Sequence, residues 1–184
     1  MPKMQENMQN IFKMEEIMHN QLTESDIKKM QEEIEYRKLV VRKEALEDVK
    51  EARAQGDLSE NFEYYAAKKF KNKNESRIRF LERMIKTATV IDVSSNADEI
   101  GLFDKVTIYI EEDDEEQEIE LVTTLRQNAL RGLISKESPV GKAVMGHKTG
   151  DRVLVAVNPD YSYYIQIRKV VKGTDDDSLP ISAY

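Results

Sequence analysis

The stretch Gly56-Asp57-Leu58-Ser59-Glu60-Asn61 separates two long polar segments, neither of which contains proline or glycine. The upstream segment covers residues 23–54, and the downstream one runs from Ser59 to about Thr87. Both consist mainly of good helix formers, with apolar residues in steps of three, four or seven. The apolar positions are Ile27, Met30, Ile34, Val41, Ala45, Val49 and Ala52, followed by Phe62, Ala66, Phe70, Ile78, Leu81, Ile85 and Ala88. The pattern predicts two long helices joined by a short acidic turn.

The two apolar stripes also predict how the helices pair. Residues that face each other across antiparallel helices have position numbers with a nearly constant sum, which here is 115. The pairs are Val49 with Ala66, Ala45 with Phe70, Ile34 with Leu81, Met30 with Ile85 and Ile27 with Ala88. The stripe is too narrow for a globular core, so we expect an antiparallel coiled-coil hairpin over residues 23–89. With ~1.5 Å per residue, arms of about 30 residues extend on the order of 45 Å.

Two interpretations of the acidic turn remain open at this point. Asp57 and Glu60 have the spacing of a capping box, in which both residues serve only to start the second helix. Alternatively, two exposed carboxylates offer oxygen ligands to a hard cation such as Mg²⁺. Two ligands cannot hold Mg²⁺ alone, so a partner would have to supply the others.

The sequence around this turn resembles a known family. The matching residues are Glu51-Ala52-Arg53-Ala54-Gln55-Gly56-Asp57-Leu58-Ser59-Glu60-Asn61-Phe62-Glu63-Tyr64, then Ala66-Ala67-Lys68, Arg77-Ile78, Leu81-Glu82 and Val90-Ile91-Asp92, and later Ser138-Pro139-Val140-Gly141-Lys142-Ala143 and Gly146-His147-Lys148-Thr149-Gly150-Asp151. They are similar to the Gre family of bacterial transcription elongation factors, of the GreA/GreB type. The resemblance spans roughly residues 22–172.

The resemblance implies a mechanism. The hairpin would enter the secondary channel of RNA polymerase, where Asp57 and Glu60 would help to hold the second Mg²⁺ and a water at the polymerase active site. The polymerase would then hydrolyse the 3' end of a backtracked transcript by two-metal chemistry. The chain would have no cofactor of its own and would not be an enzyme by itself. Its partners would be RNA polymerase and the nascent RNA 3' end.

Basic and aromatic residues beside the turn also have two interpretations. The second helix is dense in lysine and arginine, which is typical of a solvated helix face. Alternatively, Arg53, Lys68 and Lys69 contact transcript phosphates while Tyr64 or Phe62 stacks on an extruded base.

Composition limits the possible functions. The chain has 184 residues, a net charge of -7 and no cysteine. This charge argues against general affinity for nucleic acid, and the lack of cysteine excludes disulfides and thiolate metal sites. No signal peptide or membrane span is visible, so we expect a cytoplasmic monomer without a membrane partner or small-molecule substrate. Residues 1–22 are expected to be a dispensable leader, flexible or weakly helical, with a functional arm as the alternative.

From residue 90 onward the pattern changes to that of a small α+β domain, ending near residue 172. Val90–Val93 reads as a short strand, 105–111 and 117–124 as a hairpin around the acidic run 112–116, and Arg152–Asn158 and Tyr163–Val171 as two further strands. Between them, Ser138 and Pro139 start a short helix that Gly146 ends. These elements predict an antiparallel sheet with one helix packed on it. We expect the acidic run to be a solvated loop and the tail, 173–184, to be disordered.

The resemblance adds that this domain has an FKBP-like fold and docks at the rim of the polymerase channel. The candidate docking residues are Ser138, Pro139, Gly141 and Lys142. The segment 124–132 departs from the Gly- and acid-bearing turn of the family, so the docking surface is expected to differ in detail.

Two other functions compete with this interpretation. A prolyl isomerase would need a deep aromatic-lined pocket in residues 90–172, and fold alone does not carry that function. An inhibitor that blocks the channel without promoting cleavage could use the same scaffold, although a tip with both carboxylates argues against it. His19 and His147, the two histidines, lie on different segments and do not suggest a metal site or a triad.

Overall fold

The computed structural model describes residues 21–54, 61–93, 95–175 and 178–182. The chain divides into two compact units. Of the described residues, one unit contains those from Gln21 to Asp26 and from Thr89 to Ser182, and the other contains those from Ile27 to Ala88. Within the described ranges, no helix combines the length and the apolar character that a membrane span needs.

The helical unit confirms the predicted hairpin. Its first arm consists of α1 (Glu24–Tyr36), a π-helical turn (Arg37–Val41) and α2 (Arg42–Ala54), and its second arm is α3 (Phe62–Thr87). The arms are antiparallel, because Glu33 of the first arm contacts Arg77 of the second, whereas Arg53, farther along the first arm, contacts Tyr64, nearer the start of the second. The position numbers of these pairs total 110 and 117, on either side of the predicted 115.

The inward face of the second arm differs from the prediction near the turn. Phe62 is 86% exposed and Phe70 is 50% exposed, and Ala66 is exposed as well. One series of buried or half-buried positions instead follows the steps of three and four of a coiled coil, and Arg77 is buried beside it. The series is Tyr64, Ala67, Lys71, Asn74, Ile78, Leu81 and Ile85. The prediction was wrong here because it followed apolar side chains only.

A polar layer closes the hairpin where the apolar stripe is interrupted. The Arg77 guanidinium donates to both Glu33 carboxylate oxygens, at 2.9 and 3.0 Å. Arg37 donates to Glu33 at 2.7 Å and to the side chain of Asn74 at 3.1 Å. Burial raises the pKa of Glu33, but the hydrogen bonds from the two arginines outweigh it, so this pKa lies below its ordinary value. These hydrogen bonds connect the two arms where the apolar stripe is interrupted.

The other unit contains a five-stranded sheet. Its strands are β3 (Lys105–Ile110), β4 (Glu115–Val122), β5 (Leu133–Ser135), β6 (Arg152–Asn158) and β7 (Tyr161–Val171), in the order β5-β4-β3-β7-β6. The predicted α+β class is confirmed, but the sheet is mixed, because β5 pairs parallel to β4. This strand was missed because three residues are too few to show a periodic pattern.

The core of this unit lies between the sheet and one short helix, α4 (Pro139–Val144). The buried side chains of the core are Ile100, Val106, Ile108, Ile119, Leu121, Val144, Val153, Val155, Ile165 and Ile167. Those on the strands mostly alternate with exposed or half-buried residues, as expected for a sheet with one covered face. The acidic run begins in an exposed turn, and its last two residues belong to β4.

A second, two-stranded sheet forms at the start of the described chain. β1 (Gln21–Leu22) pairs parallel to β2 (Thr89–Val90), and the Leu22 carbonyl accepts from the Ile91 amide at 3.0 Å. Leu22 is fully buried. The predicted leader therefore extended two residues too far, while residues 1–20 lie outside the described chain.

The tail also differs from the prediction of disorder over 173–184. The Asp175 carboxylate accepts from Arg126 at 2.8 Å, and the Ser182 amide donates to the Leu125 carbonyl at 2.7 Å. Leu179 packs against an apolar cluster that contains Phe103. Sequence composition did not reveal these contacts because each depends on one partner that is distant in the chain.

Candidate functional site

The predicted carboxylates belong to the connection between the two arms of the hairpin. Asp57 and Glu60 lie in residues 55–60, outside the described chain. The structure describes both ends of this connection, where α2 ends at Ala54 and α3 begins at Phe62. The described part of the site consists of the residues that flank the connection.

Asn61 joins the two ends of the connection. Its side-chain oxygen accepts from the Tyr64 amide at 2.9 Å, which makes Asn61 the N-cap of α3. Its side-chain nitrogen donates to the Ala52 carbonyl at 2.7 Å, near the end of α2. One asparagine thus starts the second arm and ties it to the end of the first.

This cap bears on the two interpretations of the acidic turn. The helix was predicted to start at Ser59, with Asp57 as a possible cap, but it starts at Phe62 with Asn61 as its cap. The start of α3 therefore does not need a cap from Asp57. An asparagine directly before a helical pattern is itself a start signal, which the prediction based on the acids missed.

Three of the four candidate RNA-contacting residues lie together beside this connection. The Arg53 guanidinium is 5.5 Å from the centre of the Tyr64 ring, and the Lys68 ammonium is 5.8 Å from it. A long hydrogen bond of 3.5 Å also runs from Arg53 to the Tyr64 hydroxyl. This bond and the nearby positive charges of Lys68 and Lys71 outweigh the effect of burial and lower the pKa of Tyr64. The Tyr64 ring thus has two cationic side chains within about 6 Å of its centre.

The fourth candidate and two aromatic residues lie on the exposed side of α3. Tyr64 itself is only 8% exposed, whereas Tyr65 is 53% exposed and Phe62 is 86% exposed. Lys69 is exposed too, and the contacts of the Tyr64 ring described above do not include it. The ring that is accessible for stacking is therefore not that of Tyr64.

The candidate docking residues surround the start of α4. The Ser138 hydroxyl accepts from the Gly141 amide at 3.0 Å and caps the helix, with Pro139 in the first turn, as predicted. Gly141 is buried, and a Cβ there would lie 2.1 Å from the Ser135 carbonyl oxygen. Ser138 and Gly141 thus have structural roles, whereas Pro139 and Lys142 are exposed to a possible partner.

The sheet unit also contains a cavity of about 800 Å³ beside α4. Its lining includes Asp92, Glu99, Lys136, Glu137 and Lys142, and its described lining contains no aromatic side chain. A prolyl isomerase pocket was expected to be apolar and lined by aromatic residues. The cavity does not support that function.

Comparisons with known proteins agree with the two-unit architecture. The family model described as "Transcription elongation factor, N-terminal" matches residues 20–90. The model described as "Transcription elongation factor, GreA/GreB, C-term" matches residues 94–171. The first covers the helical hairpin, and the second covers the five-stranded sheet with its short helix.

Individual proteins similar to this chain are named transcription elongation factor GreA. The transcription elongation factor GreA of Thermoanaerobacter pseudethanolicus is 44% identical over 137 residues, which is 74% of this chain and 87% of that protein. The GreA of Bacillus licheniformis is 39% identical over 150 residues, or 81% of this chain and 94% of that protein. The solved structure of the GreA factor homolog 1 protein of Thermus thermophilus is 25% identical, covers 83% of this chain and 98% of that one, and has a TM-score of 0.38.

The helical hairpin and the small sheet, each matched by its own model, define a transcription elongation factor. The chain belongs to the GreA/GreB family. The family predicted from the residues around the acidic turn is therefore confirmed.

Proposed function

We propose that this chain rescues arrested transcription by stimulating RNA polymerase to cleave its own backtracked transcript. The hairpin enters the secondary channel of the polymerase and brings the connection 55–60 to the active site. The chain does not hydrolyse RNA by itself. It acts as a monomer in the cytoplasm, and its partners are the polymerase and the 3' end of the nascent RNA.

The observation that carries this proposal is the double role of Asn61. It caps α3 and bonds the Ala52 carbonyl, so the acidic connection begins and ends at a fixed closure of the hairpin. Because the cap is already supplied, Asp57 and Glu60 are available for another task. A rod with two carboxylates at its closed end suits delivery of those carboxylates into a narrow channel.

The chemistry of the donor set fits Mg²⁺. Carboxylate oxygens are the protein ligands that this ion prefers, and the ion commonly needs additional ligands from water or phosphates. Asp57 and Glu60 would supply two of them, and the polymerase and its RNA would supply the remainder. When bound there, the metal helps to activate water for phosphodiester hydrolysis. The contribution of this chain is negative charge and the orientation of that water.

The cations near the connection have a complementary role. Arg53 and Lys68 are held against Tyr64 within about 6 Å of its ring centre. They provide local positive charge on an acidic chain, where transcript phosphates would pass. Pro139 and Lys142, exposed at the start of α4, provide the docking contact at the rim of the channel.

The experiment uses polymerase complexes that are stalled and backtracked on a template, with RNA labelled at its 5' end. Addition of the full chain with Mg²⁺ should shorten the transcript and restore elongation, while the chain with RNA alone should cleave nothing. Binding to the complex without shortening would overturn the proposal and identify the chain as a channel-blocking inhibitor. Cleavage of free RNA would overturn it in favour of a nuclease.

A further inference from the structure

One face of α3 carries exposed aromatic rings at its start. Phe62, Tyr65 and Lys69 are three and seven residues apart, a spacing that places side chains on the same face of a helix. Phe62 is 86% exposed and Tyr65 is 53% exposed. The hairpin core therefore does not use these side chains.

The local structure defines the positions of the Phe62 and Tyr65 rings on α3. Phe62 is the first residue of α3 and directly follows the cap formed by Asn61. The Tyr65 ring packs edge to face on Tyr64, with 5.7 Å between ring centres and an interplanar angle of 63°. Tyr64 in turn lies under Arg53 and Lys68. The exposed Tyr65 ring thus packs on a buried ring that itself contacts two cationic side chains.

Exposed rings with adjacent cations favour a nucleic-acid ligand over an apolar protein pocket. Proteins that bind single strands without sequence preference combine stacking rings with positive charge along the backbone path. An apolar protein pocket would offer no partner to the charge of Lys69 on the same face, or to the charges of Arg53 and Lys68 beside it. The neighbouring charges therefore point to unpaired nucleotides.

We infer that Phe62 and Tyr65 stack on the unpaired bases of the extruded RNA 3' segment, while Lys69 contacts its phosphates. This inference rests on the proposed function, because it needs the hairpin to lie beside the extruded RNA. The sequence left Phe62 with two interpretations, hairpin core or base stacking; the inference selects stacking, adds Tyr65, and leaves Tyr64 as a buried ring that contacts Arg53 and Lys68. Stacking on any base face is tolerant of sequence, so the face serves transcripts of any sequence.

The test measures affinity for backtracked complexes whose scissile phosphate is replaced by a non-cleavable analogue. Phe62→Ala should weaken binding at least about fivefold, because one base stack contributes roughly that much or more. Phe62→Leu should behave like Phe62→Ala, since it keeps an apolar side chain and loses the ring. Phe70→Ala is the matched control, being an exposed phenylalanine about 12 Å farther along the helix. It should leave the affinity unchanged.

RNA with abasic nucleotides in the extruded segment identifies the partner of the ring. The parent chain should bind such complexes more weakly by a similar factor, and Phe62→Ala should add no further loss. If Phe62→Ala weakens binding equally with intact and abasic RNA, the ring contacts the polymerase and the inference is wrong. Unchanged affinity in Phe62→Ala with intact RNA would also overturn it. Because this readout is binding, absence of cleavage by the parent would reject the proposed function without deciding this inference.

Discussion

Arg126 and Asp26, one hundred residues apart in the sequence, form an ion pair in which both side chains are fully buried. The Arg126 Nε atom lies 2.5 Å from the Asp26 Oδ1 atom. The guanidinium also donates to Asp175, and it lies 4.9 Å from the centre of the Phe103 ring. The segment that departs from the family pattern thus supplies a buried cation that joins the start of α1 to the tail.

Loss of this arginine should destabilise the sheet unit. Arg126→Leu would leave the buried Asp26 carboxylate without its cation, and removal of one partner from a buried pair costs about 3–5 kcal/mol. Thermal unfolding of the variant should therefore begin at a clearly lower temperature. Arg152→Leu is the control, because Arg152 pairs with Glu111 in an exposed position. It should change the melting temperature little, and equal losses in both variants would contradict the importance assigned to burial.

The tail should contribute to stability in a manner that depends on pH. Burial raises the pKa of Asp175, but hydrogen bonds from Ser25 and Arg126 outweigh it and lower this pKa below its ordinary value. The carboxylate therefore stabilises the fold above its unfolded pKa near 3.8, and this stabilisation is lost as pH falls through the lower folded value. Asp175→Asn should cost about 1–3 kcal/mol at pH 7.

The difference between Asp175→Asn and the parent should shrink as the pH falls below 4. Urea unfolding at several pH values provides this comparison. Removal of the chain from Thr174 onward should cost at least as much at pH 7, because it also removes the Ser182 contact to Leu125. A truncated chain as stable as the parent would restore the original prediction of a disordered tail.

The polar layer of the hairpin provides another test. Glu33→Ala removes the carboxylate that Arg37 and Arg77 share, and we expect a loss of roughly 2 kcal/mol because the site is only partly buried. Glu32→Ala, at an exposed neighbouring position, is the control. Far-ultraviolet circular dichroism during urea unfolding reports the helical content. A double variant, Glu33→Leu with Arg77→Leu, should recover much of the loss, whereas equal effects at positions 32 and 33 would argue against the layer.

β1 is the first element of the described chain, and two deletions test what it and the residues before it contribute to stability. Deletion of residues 1–20 should leave the melting temperature and polymerase binding unchanged, because the sequence of this segment has no strong apolar pattern. Deletion of residues 1–22 should lower the melting temperature, since Leu22 is fully buried and its carbonyl accepts from Ile91. Calorimetry on the two truncated chains separates these outcomes. An effect of the shorter deletion would indicate that the methionine-rich segment packs on the body or on a partner.

The hairpin was well predicted, because the regular spacing of apolar residues and the constant sum of the position numbers of facing residues are both visible in the sequence. The same reasoning failed at Phe62 and Phe70, where it assumed that apolar side chains point inward. Asn74 and Arg77 are 2% and 7% exposed instead. Burial of polar groups depends on partners across the hairpin, such as Glu33. The periodicity of one helix taken alone does not show which partner a side chain will meet.

A similar limit applies to the sheet unit and to the candidate site. The cap at Ser138 was predictable from a local signal, whereas the pairing of Arg126 with Asp26 and Asp175 joins three distant segments. At the site, the motif identified Asp57 and Glu60, which remain a prediction. The contact of Arg53 with the Tyr64 ring could not be read from spacing, because it depends on how the two arms meet, whereas Lys68 lies four residues after Tyr64 on the same helix.

The role of the tip carboxylates is the central claim, and Asp57→Asn tests it most directly. Asparagine caps a helix about as well as aspartate, so a capping role predicts a nearly silent change. A ligand role predicts a collapse of cleavage, because the amide keeps the shape and loses the charge that a Mg²⁺ ligand needs. Glu60→Gln should behave likewise, and additional Mg²⁺ should partly restore cleavage in both variants.

The deciding measurement is the rate of transcript shortening in backtracked polymerase complexes, with polymerase binding of each variant measured in parallel. The account predicts that Asp57→Asn binds as tightly as the parent, competes with it and stimulates little cleavage. Full cleavage activity in Asp57→Asn, at unchanged Mg²⁺, would contradict the account and leave the carboxylates with a structural role.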